Sequence, residues 1–284
     1  MPNPIAEPFV ENPDSDATVS DLVLMEATVE GAVTITLNRP AKKNAFEANL
    51  IAALRETFET LRDQEAVRVV FVRGAGGTFS AGADLEWMRD AADHTESDNR
   101  DDAMQMAIML KHLYDIPALT VALVEGGAFG GGAGLAAACD MAIAVDGAKF
   151  AFSEVKLGLI AATISPYVVA TIGPRKARRL FATGQVFDAA FAREIGLVDE
   201  VVADAAALEV AQARIAADIL ACAPGAVGES KKLVAHIIGR HIDQSLMEFT
   251  AHRIAAQRVG AEGQAGVRAF LAGAKPPWSE SGAE

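Results

Sequence analysis

Two short glycine-rich runs carry the residue pattern with the clearest chemical consequence. In Phe129-Gly130-Gly131-Gly132-Ala133-Gly134, the missing side chains let backbone N–H groups approach a ligand closely. The run lies between an apolar segment and a short stretch of helical composition. A helix N-terminus there adds unpaired N–H donors and a partial positive charge. A second run, Phe79-Ser80-Ala81-Gly82-Ala83-Asp84, has the same setting of strand, glycine loop and helix start. Two such loops can each aim one N–H at a single oxygen. Donors that meet a developing oxyanion are each worth roughly 3–4 kcal/mol when tested by removal. The same composition would also serve as a tight turn packing strand on helix.

Other chemistries fit less well. No Gly-Lys-Ser/Thr follows either run, and the GxGxxG order with its acidic partner is missing, so neither reads as a nucleotide loop. Ser80 does not sit in a GxSxG elbow, and no histidine is placed to be its base. Cys139, Cys222 and the five histidines show no metal-ligand spacing and no disulfide framework, which fits a reducing cytoplasm. Arg39, Lys42 and Lys43 form a local basic cluster, readable as a contact for an anionic ligand or as a solvated turn.

The surrounding elements supply the scaffold. Leu22–Thr28 and Ala32–Leu37 alternate apolar and polar residues around Glu30-Gly31, which predicts a β-hairpin. Phe46 to Leu61 has helical spacing with Asn44 as its candidate cap, and Val67–Val72 is a continuous apolar strand. A helix is expected from about Asp84, then an acidic polar segment from Asp90 to Asp102, then a helix over Ala103–Tyr114. Strand Ala118–Val124 runs into the second glycine run, followed by a short helix over Leu135–Cys139 and a buried strand over Met141–Val145. Strands alternate with helices as far as Leu197–Val202, which argues for βαβ units and a mainly parallel sheet. Beyond Asp204 only helical spacing remains, over about Ala205–Cys222, Gly225–Gly239, Gln244–Val259 and Gly263–Leu271.

Composition narrows the partners. With 51% hydrophobic residues in 284, a large core can be buried. A formal charge of −13 repels phosphate backbones, so nucleic acid is not an expected partner. The most apolar stretch, Ile116 to Val145, is broken by Glu125, Asp140 and glycines, so it reads as core and not as a membrane span. The first sixteen residues have neither a basic n-region nor an apolar h-region and read as a frayed arm.

In order and spacing these segments resemble the crotonase (enoyl-CoA hydratase/isomerase) superfamily. Leu37-Asn38-Arg39-Pro40 with Asn44-Ala45 resembles its N-terminal signature. Phe79–Asp84 resembles its first oxyanion loop, and Phe129–Leu135 with Cys139-Asp140 its second. Ser153-Glu154-Val155-Lys156-Leu157-Gly158-Leu159 resembles its catalytic-glutamate segment. Ala182-Thr183-Gly184, Ala192–Val198, Glu262-Gly263 and Ala269-Phe270 extend the match to the end of the chain.

The resemblance implies an α/β fold with a ββα spiral core over residues 21–203, an N-terminal arm over 1–20 and a C-terminal helical trimerisation region over 204–284. It implies oxyanion amides at Ala83 and Gly131, and Glu154 as the group that handles protons at the α-carbon of a thioester. Phe150 and Phe152 would dry that carboxyl and raise its pKa. Substrate and CoA contacts fall at Arg39, Lys42, Ala45, Ala81, Asp84, Leu85, Gly130 and Gly134, with the adenine met by backbone around Ala81 to Leu85. Lys43 and Lys275 are further candidates for the phosphates. No metal or redox cofactor is implied, because coenzyme A arrives as part of the acyl-CoA substrate. A homotrimer, or a hexamer formed as a dimer of trimers, is the implied assembly.

One position departs from the pattern. Ordinary hydratases of the family carry a first glutamate twenty residues before the second, and here that position is Gly134. Three readings follow. The first is a hydratase with Glu154 as its single carboxylate. Ser153 to Pro166 resembles bacterial hydratases of branched, methylglutaconyl-type CoA esters, with Ala161 where that group commonly has Pro, and leucine degradation would be the setting. The second is a Δ3,Δ2-enoyl-CoA isomerase, and the third a non-catalytic CoA-ester-binding homologue.

Overall fold

A computed structural model describes residues 21–279, and the N-terminal arm expected over 1–20 lies outside the described residues. The chain opens with strands β1 (Val23–Ala27) and β2 (Ala32–Leu37), paired antiparallel as their alternation predicts. Then follow α1 (Ala48–Arg62), β3 (Val69–Gly74), α2 (Leu85–Ala91), α3 (Glu96–Asp115), β4 (Leu119–Val124), β5 (Gly127–Phe129), α4 (Gly131–Ala138), β6 (Met141–Val145) and β7 (Lys149–Ala151). A 3-10 turn over Glu154–Leu157 leads to α5 (Ser165–Ile172), α6 (Pro174–Thr183), β8 (Phe187–Asp188), α7 (Ala189–Ile195) and β9 (Glu200–Val202). The rest is helical: α8 (Ala205–Leu220), α9 (Pro224–Ile237), α10 (Gln244–Val259) and α11 (Ala261–Leu271).

The main sheet runs β1-β2-β3-β4-β6-β9 and is parallel from β2 onward; a smaller sheet runs β5-β7-β8. Side chains of a strand alternate between faces, and both faces here are apolar. Val70, Val72, Ala122, Val124, Ala142 and Ala144 join the larger core, which also receives α1 and α3. Val69, Phe71, Val121, Leu123 and Ile143 face the other way, against Leu208, Ala211 and Ile215 of α8. Burial on both faces is why these strands read as continuous apolar runs. The helix that starts the C-terminal region thus forms one layer of the α/β core.

Several boundaries shift by one or two residues, and three helix starts differ in ways that matter for the site. Helix α1 is capped by Glu47, whose carboxylate accepts from Asn49 N–H and Leu50 N–H, both at 3.0 Å. Helix α3 begins inside the acidic segment, where Thr95 and Asp98 form a reciprocal capping box. Its first turns are solvated all round, so they carry no apolar period to betray them. Helix α4 starts at Gly131, in the middle of the glycine run, not at Leu135.

Asn44 does a different job from the cap expected of it. It is fully buried at φ +54°. Its amide donates to the carbonyls of Ala75 (2.9 Å) and Thr78 (2.6 Å) and accepts from Arg39 N–H (2.9 Å). Its own carbonyl accepts the Ser80 hydroxyl at 2.8 Å. One side chain therefore ties the segment after β2 to the loop after β3. Asn44→Ala should lower unfolding stability by about 3–5 kcal/mol, because it strands buried backbone groups and leaves a Cβ-bearing residue in the left-handed region without compensation. An unfolding midpoint within error of wild type in denaturant titration would show those groups finding other partners.

Candidate active site

The first glycine loop is held from two sides. Ser80 N–H donates to Gly127 O (2.9 Å) and Phe129 N–H to Ser80 O (3.0 Å), a parallel bridge onto β5. Three residues on, Phe46 N–H donates to Gly82 O (2.7 Å) and Asp84 N–H to Phe46 O (2.8 Å), a second parallel bridge that pairs Phe46 with Ala83. In such a bridge the flanking peptides make the bonds, so the N–H of Ala83 itself points away from Phe46. It donates to no group among the described residues. Gly82, at φ +89°, lies so close to the second loop that a Cβ would stand 2.8 Å from Phe129 O.

The second loop is fixed just as tightly. Gly130 N–H donates to Ala151 O at 2.9 Å, and Gly130 O accepts the first helical bond of α4, from Gly134 N–H at 3.0 Å. Gly132 rests on Ser80, where a Cβ would come within 2.7 Å of the serine Cβ. Gly131 sits over the Phe46 ring and Met106, at 3.2 and 3.0 Å from the place of its absent Cβ. Its N–H opens α4 and finds no acceptor among the described residues. The Phe46 backbone thus orients Ala83 while its ring supports Gly131.

Glu154 stands at the start of the 3-10 turn that follows β7, the strand to which Gly130 is bonded. Its Oε1 lies 3.0 Å from where a Cβ on Gly130 would be, so the carboxyl fills space left by a glycine. Its Oε2 is buried and has no hydrogen-bond partner. Phe150 and Phe152, both buried, begin an aromatic cluster in which Phe152 meets Phe181 edge-on at 5.2 Å and Phe150 stacks on Phe187 at 5.8 Å. Burial pushes the Glu154 carboxyl above the ordinary glutamate range, and a hydrogen bond from its own backbone partly offsets this. A proton acceptor of raised basicity therefore sits beside two loops that present unpaired N–H groups.

Gly134 brings no side chain to this site and has room for none, since a Cβ would lie 2.1 Å from Ile164 Cγ2. The proposed CoA contacts divide. Arg39 donates to Ala45 O (2.5 Å) and to Asp84 (3.1 Å), so this expected phosphate contact is bound into the scaffold. Asp84 is buried and caps α2 through Glu86 N–H at 2.9 Å. Burial alone would raise its pKa, but the Glu86 amide and the Arg39 guanidinium bring it below the usual range. Lys42 pairs with Glu86 at 2.9 Å on the surface. Ala45 is buried, Ala81 gives its N–H to Lys43 O at 2.9 Å, and Gly130 has both peptide groups engaged. Leu85 is 76% exposed at the mouth of the first loop, where a ligand could cover it. Lys43 and Lys275 are exposed. Ile164, Phe46 and Met106 are site residues that carry no chemical signature in the sequence.

Comparison with known proteins finds relatives of the same fold. A family model described as enoyl-CoA hydratase/isomerase matches residues 27–281. A solved structure of crotonase type from Legionella pneumophila is 43% identical, with a TM-score of 0.85 over 91% of this chain and 99% of that one. An enoyl-CoA hydratase from Shewanella pealeana is 36% identical, with a TM-score of 0.86 over 90% of this chain and 96% of that one. The enoyl-CoA hydratase AFT6-1 of Alternaria alternata is 31% identical over an alignment 288 positions long, covering 93% of this chain and 92% of that protein.

The raised Glu154 pKa has a thermodynamic consequence. A buried acid held above its unfolded value contributes fully below the unfolded pKa, and that contribution is lost as pH rises through the folded value. Glu154→Gln should therefore melt higher than wild type at pH 8, with the gap closing towards about pH 4, where a free glutamate is protonated. A gap that is absent at pH 8, or reversed, would mean the ionised carboxylate is well solvated.

Proposed function

The chain belongs to the enoyl-CoA hydratase/isomerase family, and within it we propose a hydratase that adds water across the α,β double bond of an acyl-CoA thioester with Glu154 as its only carboxylate. The observation that carries this reading is the buried, unpartnered Glu154 oxygen beside the unpaired N–H groups of Ala83 and Gly131. The thioester carbonyl would accept from both N–H groups. Glu154 would take a proton from water as the water oxygen bonds to the β-carbon, and the π electrons would move onto the thioester oxygen as an enolate. The same carboxyl would then return its proton to the α-carbon, so that H and OH add across the double bond and Glu154 ends as it began. Raised basicity suits a group that must both accept and release a proton near neutral pH.

A branched, glutaconyl-type acyl group is the substrate favoured by the resemblance of Ser153 to Pro166. The isomerase reading has support from the closed space at Gly134, since shuttling one proton between two carbons needs no second carboxylate. Exposed apolar side chains on α10 and α11 and around them, Ile242, Val259, Phe270 and Leu271 among them, fit the proposed trimer or hexamer. No single helix among the described residues is long and apolar enough to cross a membrane, and a cytoplasmic setting is part of the same proposal.

Two variants and two substrates test this. Wild type should consume the conjugated absorbance of 3-methylglutaconyl-CoA, and Glu154→Gln should slow this by about 10²–10⁴-fold while the thioester still binds. A gain of absorbance with a Δ3-enoyl-CoA, and no change with the first substrate, would transfer the assignment to isomerisation. Gly131→Pro removes one proposed donor and should lower kcat by about 10²–10³-fold. Full activity in that folded variant would take Gly131 out of the oxyanion hole.

A further inference from the structure

Gly130 and Gly134 are successive points along the start of α4, joined by the bond from Gly134 N–H to Gly130 O at 3.0 Å. Next to Gly130 the space of the missing side chain is met by the Glu154 carboxyl, at 3.0 Å; next to Gly134 it is met by Ile164, with Cγ2 at 2.1 Å and Cβ at 2.5 Å. Ile164 is 1% exposed and caps α5, whose Val168 and Ile172 are buried at the following turns. The Thr171 hydroxyl donates to Ala137 O at 3.2 Å and fastens α5 to α4. The isoleucine is therefore placed by a whole helix. Helix α4 carries no ionisable side chain.

We propose that Ile164 is a positioning residue of this site: it fills the volume that a side chain at 134 would need and so keeps Glu154 the sole proton carrier on that face. The proposal rests on the single-carboxylate reading for its catalytic meaning, while its steric part stands apart from it. Because Gly130 and Gly134 are joined by one helical bond, the residues that meet them, Glu154 and Ile164, occupy neighbouring volumes, and on this proposal Ile164 forms part of the apolar wall near the carboxyl. The charged groups of the elements nearest that carboxyl are engaged or lie elsewhere. Lys156, on the same turn, lays its stem against Gly184. On α6, Lys176 donates to Ile195 O and Arg179 lies over Phe191; Arg175 and Arg178 complete its cations. On β7, Lys149 is paired in register with Asp188 of β8. None of these sets the Glu154 ionisation, which burial raises.

The test is a set of substitutions in the full-length protein, read by melting temperature and by the pH profile of kcat/KM. Gly134→Ala should lower both stability and activity, because its Cβ meets Ile164. Ile164→Gly should restore it, whereas Ile164→Val, which keeps Cβ and a γ-methyl, should not. Coupling of this kind between touching residues should return about tenfold or more in activity to the double variant over Gly134→Ala alone. Gly134→Glu combined with Ile164→Gly should add a second ionisation to the pH profile. Ile164→Gly alone should admit water and move the acid limb to lower pH, and Ile164→Val should leave it in place. Wild-type behaviour of Gly134→Ala, or a double variant no better than the single one, would overturn the steric claim. An acid limb unmoved by Ile164→Gly would reduce Ile164 to packing. The melting gap between wild type and Glu154→Gln, measured with and without Ile164→Gly, reads the same wall without turnover. A gap that shrinks while Glu154→Gln remains fully active would leave the wall standing and remove the hydratase reading alone.

Discussion

The site depends on glycine backbone being met by its neighbours more closely than a side chain would comfortably allow. At Gly82, Gly130, Gly132 and Gly134 the nearest neighbouring atom stands between 2.1 and 3.0 Å from where a side chain would begin. Those four positions bring the loop after β3, the start of α4, the Glu154 carboxyl and the cap of α5 into one volume. Had Gly82 or Gly132 been alanine, a loop would have to retreat by several tenths of an ångström; at Gly130 and Gly134 the Glu154 carboxyl or the Ile164 side chain would have to give way. The donor geometry on which oxyanion stabilisation depends has no such slack.

The parallel sheet is what makes that closeness repeatable. Strands β3 and β4 are in register and buried on both faces, and the loops at their C-terminal ends start from fixed points. The two parallel bridges at Ser80 and Ala83 then extend sheet-like pairing into a segment that would otherwise be free. A parallel bridge engages both peptide groups of one residue, here Phe46, and the groups flanking the other, here Ala83, whose own N–H is left turned outward. The unpaired donor at Ala83 is thus a by-product of pairing, not a gap in it. Gly131 reaches the same state differently, as the first residue of a helix whose opening N–H groups have no intrahelical acceptor.

Much of this was legible in the sequence, and the remainder was hidden for identifiable reasons. The hairpin, the strand at Met141–Val145 and the helix at Gln244–Val259 follow from period and turn chemistry alone. The glycine runs announced close backbone approach. Asn44 was mistaken for a cap because an Asn before an apolar helical stretch has that meaning locally; its actual partners, at Ala75 and Thr78, lie some thirty residues away. Arg39 read as a free cation because its partner Asp84 is 45 residues distant. Ile164 gave no chemical signal: it lies within the Ser153 to Pro166 resemblance, but one apolar residue before Ser165-Pro166 shows no role until α5 is packed on α4.

Glu154 shows why stability and function pull apart at this site. A buried carboxylate oxygen without a partner is unfavourable for the fold, and most proteins would supply a donor for it. A donor here would stabilise the anion, lower its basicity and weaken it as a proton acceptor. The aromatic cluster of Phe150, Phe152, Phe181 and Phe187 and the two-faced core offset that penalty elsewhere in the molecule. The missing side chain at Gly134, whose volume Ile164 fills, belongs to the same balance. A second carboxylate beside the first would raise the cost of ionising either, whereas the Ile164 side chain that meets Gly134 adds no charge. On the proposed reading, the single-carboxylate site is a consistent physical solution, in which one oxygen of the group proposed to exchange protons is left without a hydrogen bond.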